Sequence, residues 1–137
     1  MKNSEYTYLK DYKPYEFAIP SIYLDFIIND NNILVTSRML VEPLSKGSGG
    51  LKLKGIGLIL ESIKIDNKHI NNSLYRYEEG ELTILDHSEN SYELEISYKI
   101  NPFNNTSLEG IYTSGEILTT QCEAEGFRRI CFHPDRP

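Results

Sequence analysis

The sequence predicts an all-β domain, either an antiparallel β-sandwich or a saddle-like open barrel of short strands. Apolar and polar residues alternate in several short segments, which is the period of a strand that turns one face toward a core. Clusters of Asn, Asp and Gly separate these segments and supply the residues that tight turns need. No stretch long enough for a helix shows the helical period better than the strand period.

The first half of the chain predicts a hairpin after an irregular start. Residues 1–18 have no sustained period, whereas every second side chain in residues 22–28 is apolar, as in a strand with one buried face. The inward face of this strand is predicted to carry Ile22, Leu24, Phe26 and Ile28. The run of Asn and Asp at residues 29–32 predicts a turn, and residues 33–41 predict the returning strand.

Glycine marks the next breaks in the pattern. Residues 46–50 are predicted to form a flexible loop. Residues 51–65 then continue the β pattern, with Gly55 and Gly57 predicting a bend or bulge within it. The Asp-Asn pair at residues 66–67 predicts the turn that follows.

The second half predicts further short strands. Residues 75–77 and 82–85 flank a Glu-Glu-Gly-Glu turn, whose glycine can adopt positive φ and close a hairpin. Residues 92–100 alternate without interruption and give the clearest strand in the sequence. A turn at residues 114–115 leads into a last extended run that begins at Ile117.

Length and charge restrict the class of protein. A chain of 137 residues is long enough for one domain with a substantial core. Its 14 basic and 20 acidic residues give a net charge of −6, so neither nucleic acid nor an anionic membrane is expected as a partner. The N-terminus lacks the apolar segment of a signal peptide, and we expect a cytoplasmic protein whose two cysteines are free thiols.

The densest group of reactive side chains is the sequence TQCEAEGFRR at residues 120–129, which we call the C-terminal motif. It contains a thiol, two carboxylates, a carboxamide and two guanidinium groups. If this motif is extended, Gln121, Glu123 and Glu125 share one face, because side chains alternate along a strand. Two carboxylates and an amide on one face favour the binding of a cation.

The last third of the chain resembles a known family. The sequences LEGIY at 108–112, SG at 114–115, TQCEAEGFRRI at 120–130 and DRP at 135–137 are similar, in this order and near these spacings, to the N-terminal β domain of bacterial members of the aminopeptidase N family, which are zinc exopeptidases. Weaker similarity upstream, in YLKDYKP at 8–14 and LKLKG at 51–55, extends the resemblance over essentially the whole chain.

The resemblance implies two residues that bind substrate. The acidic residue at the position of Glu123 reaches into the neighbouring catalytic domain in that family and binds the α-ammonium of a peptide N-terminus. The residue at the position of Gln121 lines the pocket for the first side chain. A carboxylate that meets an ammonium in a closed cleft forms a charge-assisted hydrogen bond worth about 1.5–3 kcal/mol. The implied partners are therefore a peptide N-terminus and the catalytic domain of the same polypeptide.

The zinc of that family has no ligands in this chain. None of the three histidines, His69, His87 and His133, begins a His-Glu-x-x-His sequence. The resemblance implies that residues 1–137 are a truncated N-terminal domain of a longer zinc aminopeptidase, and that the zinc and the base that activates water lie beyond residue 137. On this interpretation the chain has no catalytic residue and no metal, is inactive alone, and exposes apolar surface meant for the missing part.

Structural interpretations of the charged residues stay open. Glu123 and Glu125 can also be solvated strand residues that pair with Arg128 and Arg129. For Glu125 and the two arginines we predict such an ion-pair network, which would fix the loop.

Other functions also stay open. A nucleophilic Cys122 would need a base within about 3 Å, and no histidine is near it in sequence. A zinc site made of Cys122, Cys131 and His133 would lack a fourth ligand. The chain can also be a stand-alone β-sandwich binding module or a catalytically inactive scaffold domain, which the gene beyond residue 137 would separate from an aminopeptidase.

Overall fold

The computed structural model describes residues 8–45, 49–85 and 89–136. Within these ranges the chain forms ten strands and four short 3-10 turns, and no α-helix. The strands are β1 (Phe17–Ile28), β2 (Ile33–Pro43), β3 (Leu51–Lys54), β4 (Ile59–Ile65), β5 (Lys68–His69), β6 (Tyr75–Glu78), β7 (Glu81–Ile84), β8 (Tyr92–Ile100), β9 (Gly110–Ser114) and β10 (Ile117–Gln121). Most of the predicted loop at residues 46–50 and one of the three histidines, His87, lie outside the described residues.

The strands form three antiparallel sheets. The largest has five strands in the order β1-β2-β8-β4-β5, the second has three in the order β3-β7-β6, and β9 and β10 form a separate hairpin. The sheets do not close into a barrel. The predicted all-β class is therefore confirmed, in its sandwich form.

The predicted hairpins are present because their turn residues adopt the required backbone. Asp66 and Asn67 connect β4 to β5 with φ of 48° and 64°. Glu79 and Gly80 connect β6 to β7 with φ of 52° and 77°. Two consecutive residues with positive φ form the turn whose twist matches that of the flanking strands.

The core lies between the five-stranded and three-stranded sheets. The clear alternation of β8 is confirmed, since its side chains are buried at every second position from Tyr92 to Ile100. The buried apolar residues of β2, β3, β7 and β8 belong to one cluster. A single core therefore joins the two sheets, as expected for a sandwich.

Phe132 connects the two sheets directly. Its ring is fully buried and lies edge-on to Tyr98 of the five-stranded sheet, with centroids 5.2 Å apart, and to Tyr77 of the three-stranded sheet, at 5.1 Å. Gly55, in the predicted bend, leaves room for this ring, because a Cβ there would lie 2.3 Å from Phe132 Cδ1. The Tyr98 hydroxyl donates to the carbonyl of Ile130 at 2.9 Å, next to the same ring.

Strand β1 differs from its prediction. It begins earlier, at Phe17, and the face that was predicted to be buried is largely exposed at Ile22, Phe26 and Ile28. The reason is its position, since β1 is the edge strand of the five-stranded sheet and packs mainly against β2. The alternation of apolar residues correctly identified the face of β1 that lies on the core side of the sheet. It could not show whether another element covers that face.

A search of the described residues for a helix long and apolar enough to span a membrane found none.

We expect the Phe132→Ala substitution to lower the free energy of unfolding by about 3–5 kcal/mol, because it leaves a cavity between the sheets. Urea denaturation followed by circular dichroism measures this loss. Phe103→Ala is the matched control, because Phe103 is half exposed, and it should change stability by less than about 0.5 kcal/mol. Equal losses in the two variants would contradict the bridging role of Phe132.

Candidate functional site

The C-terminal motif is not extended as predicted. Strand β10 ends at Gln121, residues 122–125 form a turn, and Gly126–Arg129 is a 3-10 turn. The Gly126 amide donates to the Cys122 carbonyl at 2.9 Å, which reverses the chain. The prediction that Gln121, Glu123 and Glu125 share one strand face is therefore wrong.

The turn brings Gln121 and Glu123 together in another way. The Gln121 side-chain oxygen Oε1 accepts a hydrogen bond from the backbone amide of Glu123 at 3.1 Å. Both residues are exposed. The carboxamide thus fixes the backbone that carries the Glu123 carboxylate, and the two residues that the resemblance selected form one local unit.

Two glycines make this turn possible by close packing. A Cβ on Gly126 would lie 2.3 Å from the Gln121 carbonyl oxygen. This distance is too short for any residue other than glycine. Gly110, the register partner of Gln121 in β9, has φ of 76°, and a Cβ there would lie 2.6 Å from Cβ of Arg129. The β9–β10 hairpin therefore lies directly against the 3-10 turn of the motif.

The predicted ion-pair network is confirmed for Glu125 and Arg128, whereas Arg129 pairs with a different carboxylate. Arg128 contacts Glu125, with Nη2 and Oε1 3.4 Å apart, and also contacts the carboxylate of Asp135. Arg129 pairs with Glu109, with Nε and Oε2 3.4 Å apart. Sequence reasoning missed Asp135 and Glu109 as partners, because both pairings depend on the tertiary fold.

Backbone hydrogen bonds attach the motif to the sandwich. The Ile56 amide donates to the Arg128 carbonyl at 2.8 Å. Lys54 of β3 and His133 exchange two backbone hydrogen bonds, at 2.7 and 3.1 Å. Together with the bond from Tyr98 to Ile130, these contacts tie the C-terminal side of the motif to both main sheets.

The two glutamates of the motif differ in their partners. Glu125 pairs with Arg128, whereas Glu123 takes part in none of the ion pairs found in the described part of the chain. An exposed carboxylate without a cation, on a backbone held by Gln121, can accept a cationic group from another molecule or domain.

The two thiols have different environments. Cys122 is exposed, next to Gln121, whereas Cys131 is buried and donates to the Phe132 carbonyl at 3.3 Å. Burial raises the pKa of the Cys131 thiol to about 11, so this thiol is protonated at neutral pH. Burial also raises the pKa of the Tyr98 phenol above its usual range.

The metal-binding alternative finds no support. Across residues 8–45, 49–85 and 89–136, no group of three or more His, Cys, Asp or Glu side chains is placed to hold a metal ion. The His133 ring packs against Phe127, with centroids 4.9 Å apart, and its Nδ1 lies 3.0 Å from the Cys131 carbonyl oxygen rather than from the thiol.

The curated proteins that are similar in sequence to this chain share one name. No protein-family profile matches the chain. Aminopeptidase N of Haemophilus influenzae is 38% identical over 130 residues, aminopeptidase N of Caulobacter vibrioides is 36% identical over 129, and aminopeptidase N of Escherichia coli K12 is 37% identical over 133. These matches cover 94–95% of this chain, which spans about 15% of the length of each relative.

Solved structures show the same fold. Aminopeptidase A of Legionella pneumophila, in complex with aspartic acid, superimposes with a TM-score of 0.85 at 25% identity, over 94% of this chain and 15% of that one. Yeast LTA4 hydrolase superimposes with a TM-score of 0.70 at 16% identity, over 89% of this chain and 21% of that one, and supports the fold alone.

We expect the Arg128→Gln substitution to lower the free energy of unfolding by roughly 1–3 kcal/mol, because it leaves the partly buried Asp135 carboxylate without its charged donor. Urea denaturation at fixed pH and salt measures the change. Arg76→Gln is the control, because the pair of Arg76 with Glu78 is exposed on both sides and should contribute less than about 1 kcal/mol. A smaller loss for Arg128→Gln than for Arg76→Gln would refute the structural role of this ion pair.

Proposed function

Because this chain is related over nearly its whole length to the N-terminal β domain of the bacterial aminopeptidase N family, we propose that it is the substrate-anchoring domain of a zinc-dependent aminopeptidase. In this role it would help to position the N-terminus of a peptide whose first residue is removed. The catalytic domain would belong to the same, longer polypeptide, since the chain spans only about 15% of its relatives.

The observation that carries the proposal is the contrast between Glu123 and Glu125. Both are exposed, but Glu125 already forms an ion pair with Arg128, whereas Glu123 has no cationic partner among the ion pairs described. We assign the free carboxylate to the α-ammonium of the substrate. Such a charge-assisted hydrogen bond contributes about 1.5–3 kcal/mol once water is excluded.

A fixed carboxylate would also determine where cleavage occurs. The amide of Glu123 is held by Gln121, and Gly126 packs against the Gln121 carbonyl, so two contacts constrain the backbone that carries this carboxylate. An ammonium bound at Glu123 therefore has a defined position, and only the first peptide bond lies at a fixed distance from it. Positioning of this kind lowers the entropic part of the activation barrier.

We assign Gln121 a second role, as a lining residue of the pocket for the first side chain. Its Oε1 is already bonded to the loop, which leaves the other side of the carboxamide to face a ligand. The assignment rests on the resemblance of the C-terminal motif and on the adjacency of the two residues.

The zinc of such an enzyme does not fit the residues that the structure describes. His69 is exposed on the short strand β5, and the ring of His133 packs on Phe127. The described residues contain no cluster of ligands, as reported above. We therefore place the zinc, its ligands and the water-activating base in the rest of the longer polypeptide, and derive no catalytic step from this chain alone.

A stand-alone binding module has less support. One open cleft of about 320 Å³ is lined mainly by the polar loop after β8, including Asn105, and by Arg129. The Asn105 side chain, however, already makes hydrogen bonds to Glu109, Ile111 and Ser107, and Arg129 pairs with Glu109. The side chains of Asn105 and Arg129 therefore already have partners within this region.

We expect Glu123→Gln in the longer enzyme to lower kcat/KM by roughly 2–4 kcal/mol, with a higher KM and a lower kcat, because the bond to the ammonium and the positioning are both weakened. Steady-state kinetics on aminoacyl substrates measure this, and discrimination against N-acetylated substrates should decrease. Glu125→Gln is the matched control and should retain that discrimination. Unchanged kinetics in Glu123→Gln would show that this carboxylate is only a solvated surface group and does not bind the substrate.

We expect Gln121→Ala to change which first side chain is preferred, while the requirement for a free amino group remains. The physical reason is that, in this assignment, the carboxamide lines the pocket for the first side chain while the Glu123 carboxylate binds the ammonium. Loss of the hydrogen bond from the Glu123 amide to Gln121 Oε1 should in addition raise KM for every substrate. A panel of substrates that differ only in the first residue, each with an acetylated counterpart, separates the two effects. A variant that loses the amino-group requirement but keeps the side-chain preference would contradict the assignment.

A further inference from the structure

The side chain of Asn105 holds the loop that leads into strand β9. Its amide nitrogen Nδ2 donates to the carbonyl of Glu109 at 2.7 Å and to the carbonyl of Ile111 at 2.9 Å. Its oxygen Oδ1 accepts from the Ser107 amide at 3.0 Å and from the Ser107 hydroxyl at 2.6 Å. One half-buried side chain therefore makes four hydrogen bonds, and two of them hold the carbonyls on either side of Gly110.

Gly110 lies where β9 meets the C-terminal motif. It is the register partner of Gln121, and it is buried. Its amide nitrogen lies 3.3 Å from the place that a Cβ on Gly126 would occupy, and the space beside its own Cα is filled by Cβ of Arg129. The backbone at Gly110 therefore contacts the chain on both sides of the turn that carries Glu123.

The backbone that Asn105 holds has an uncommon conformation. Leu108 has φ of 58° and Gly110 has φ of 76°. Leucine disfavours positive φ, and Leu108 is exposed, so packing into the core does not impose this conformation. Such a conformation persists only where other contacts fix it. The bonds of Asn105 reach residues before and after both positions, and so supply that constraint.

Asn101, in the same loop, shows what is particular to Asn105. Its Oδ1 accepts from the Phe103 amide at 3.1 Å, in the same way as Asn105 accepts from the Ser107 amide. Among the hydrogen bonds of the described residues, none joins the Asn101 side chain to β9. Both asparagines therefore form a local turn, but only Asn105 connects its turn to the strand that pairs with Gln121.

We propose that Asn105 is a positioning residue for the peptide substrate. By holding the carbonyls on either side of Gly110 it fixes β9, and β9 fixes Gln121 and the backbone of Glu123. This inference rests on the proposed function in one respect, that Glu123 binds the α-ammonium. Asn105 acts on the substrate only through that carboxylate, because its own carboxamide is already bonded within the loop.

Steady-state kinetics of the longer enzyme test this role. Asn105→Asp retains an oxygen that can accept from Ser107 but lacks the amide donor that holds the two carbonyls. We expect it to lower kcat/KM roughly 10- to 100-fold, with a higher KM and weaker discrimination against N-acetylated substrates, because the Glu123 carboxylate is displaced. Asn105→Ser adds no charge and also lacks the donor, so it should show the same changes even if Asn105→Asp does not fold.

Asn101→Ala is the matched control, because it removes a turn of the same kind without releasing β9. It should change kcat/KM by less than about threefold and retain the discrimination against N-acetylated substrates. If Asn105 only stabilised the fold, its variants would lose active enzyme and so lower kcat, while KM and the discrimination stayed the same. That result would overturn the proposal.

A double variant shows whether Asn105 acts through Glu123. Asn105→Asp combined with Glu123→Gln should lose no more than about threefold in kcat/KM beyond Glu123→Gln alone, because the contact that Asn105 positions is already absent. Losses that multiply fully would mean that Asn105 acts by another route, against the proposal.

Hydrogen–deuterium exchange separates this inference from the proposed function. The amides of Glu123 and Gly126 are bonded to Gln121 Oε1 and to the Cys122 carbonyl. In the 137-residue chain we expect both amides to exchange at least about fivefold faster in Asn105→Asp, with peptides from β8 unchanged as the control.

The exchange result has two informative outcomes besides the expected one. Unchanged exchange at residues 123 and 126 would overturn the proposal, even if Glu123→Gln lowers activity. Faster exchange together with unaltered kinetics in Glu123→Gln would overturn the proposed function, and the role of Asn105 toward substrate with it, while the link from Asn105 to the loop would hold.

Discussion

The contact of Phe132 with Tyr77 and Tyr98 is the interaction on which the arrangement of this domain depends. A single ring touches both main sheets, and Gly55 is a glycine because the ring occupies the space of its side chain. The same segment carries Ile130, which accepts a hydrogen bond from Tyr98. The core and the C-terminal motif are thus fixed by one group of aromatic residues, so that the position of the loop follows from the packing of the sandwich.

The hairpins could be predicted from sequence, because their determinants are local. Asp66-Asn67 and Glu79-Gly80 specify their turns through backbone preferences, and β8 specifies its buried face through strict alternation. The shape of the C-terminal motif could not be predicted in this way. Its chain reversal depends on the contact of Gly126 with the Gln121 carbonyl, and a glycine in the sequence does not reveal what it packs against.

The motif also shows how the same residue type can have different partners at neighbouring positions. The sequence alone left pairing with an arginine open for both Glu123 and Glu125 and predicted it for Glu125, and the fold gives an arginine only to Glu125. The distinction depends on how far the Arg128 side chain reaches and on the direction of the turn. Neither quantity is encoded in the order of the residues alone, whereas the carboxylates, the carboxamide and the guanidinium groups of the motif can be read directly from the sequence.

The two cysteines differ in exposure, so their rates of chemical modification can report how often the core opens. Cys122 is exposed in the turn of the C-terminal motif, while Cys131 is enclosed by the core and has its pKa raised to about 11 by burial. An alkylating reagent at neutral pH therefore meets one available sulfur immediately and the other only after the core has opened. The time between the two modifications measures how often the structure around Cys131 opens, with no label introduced by mutation.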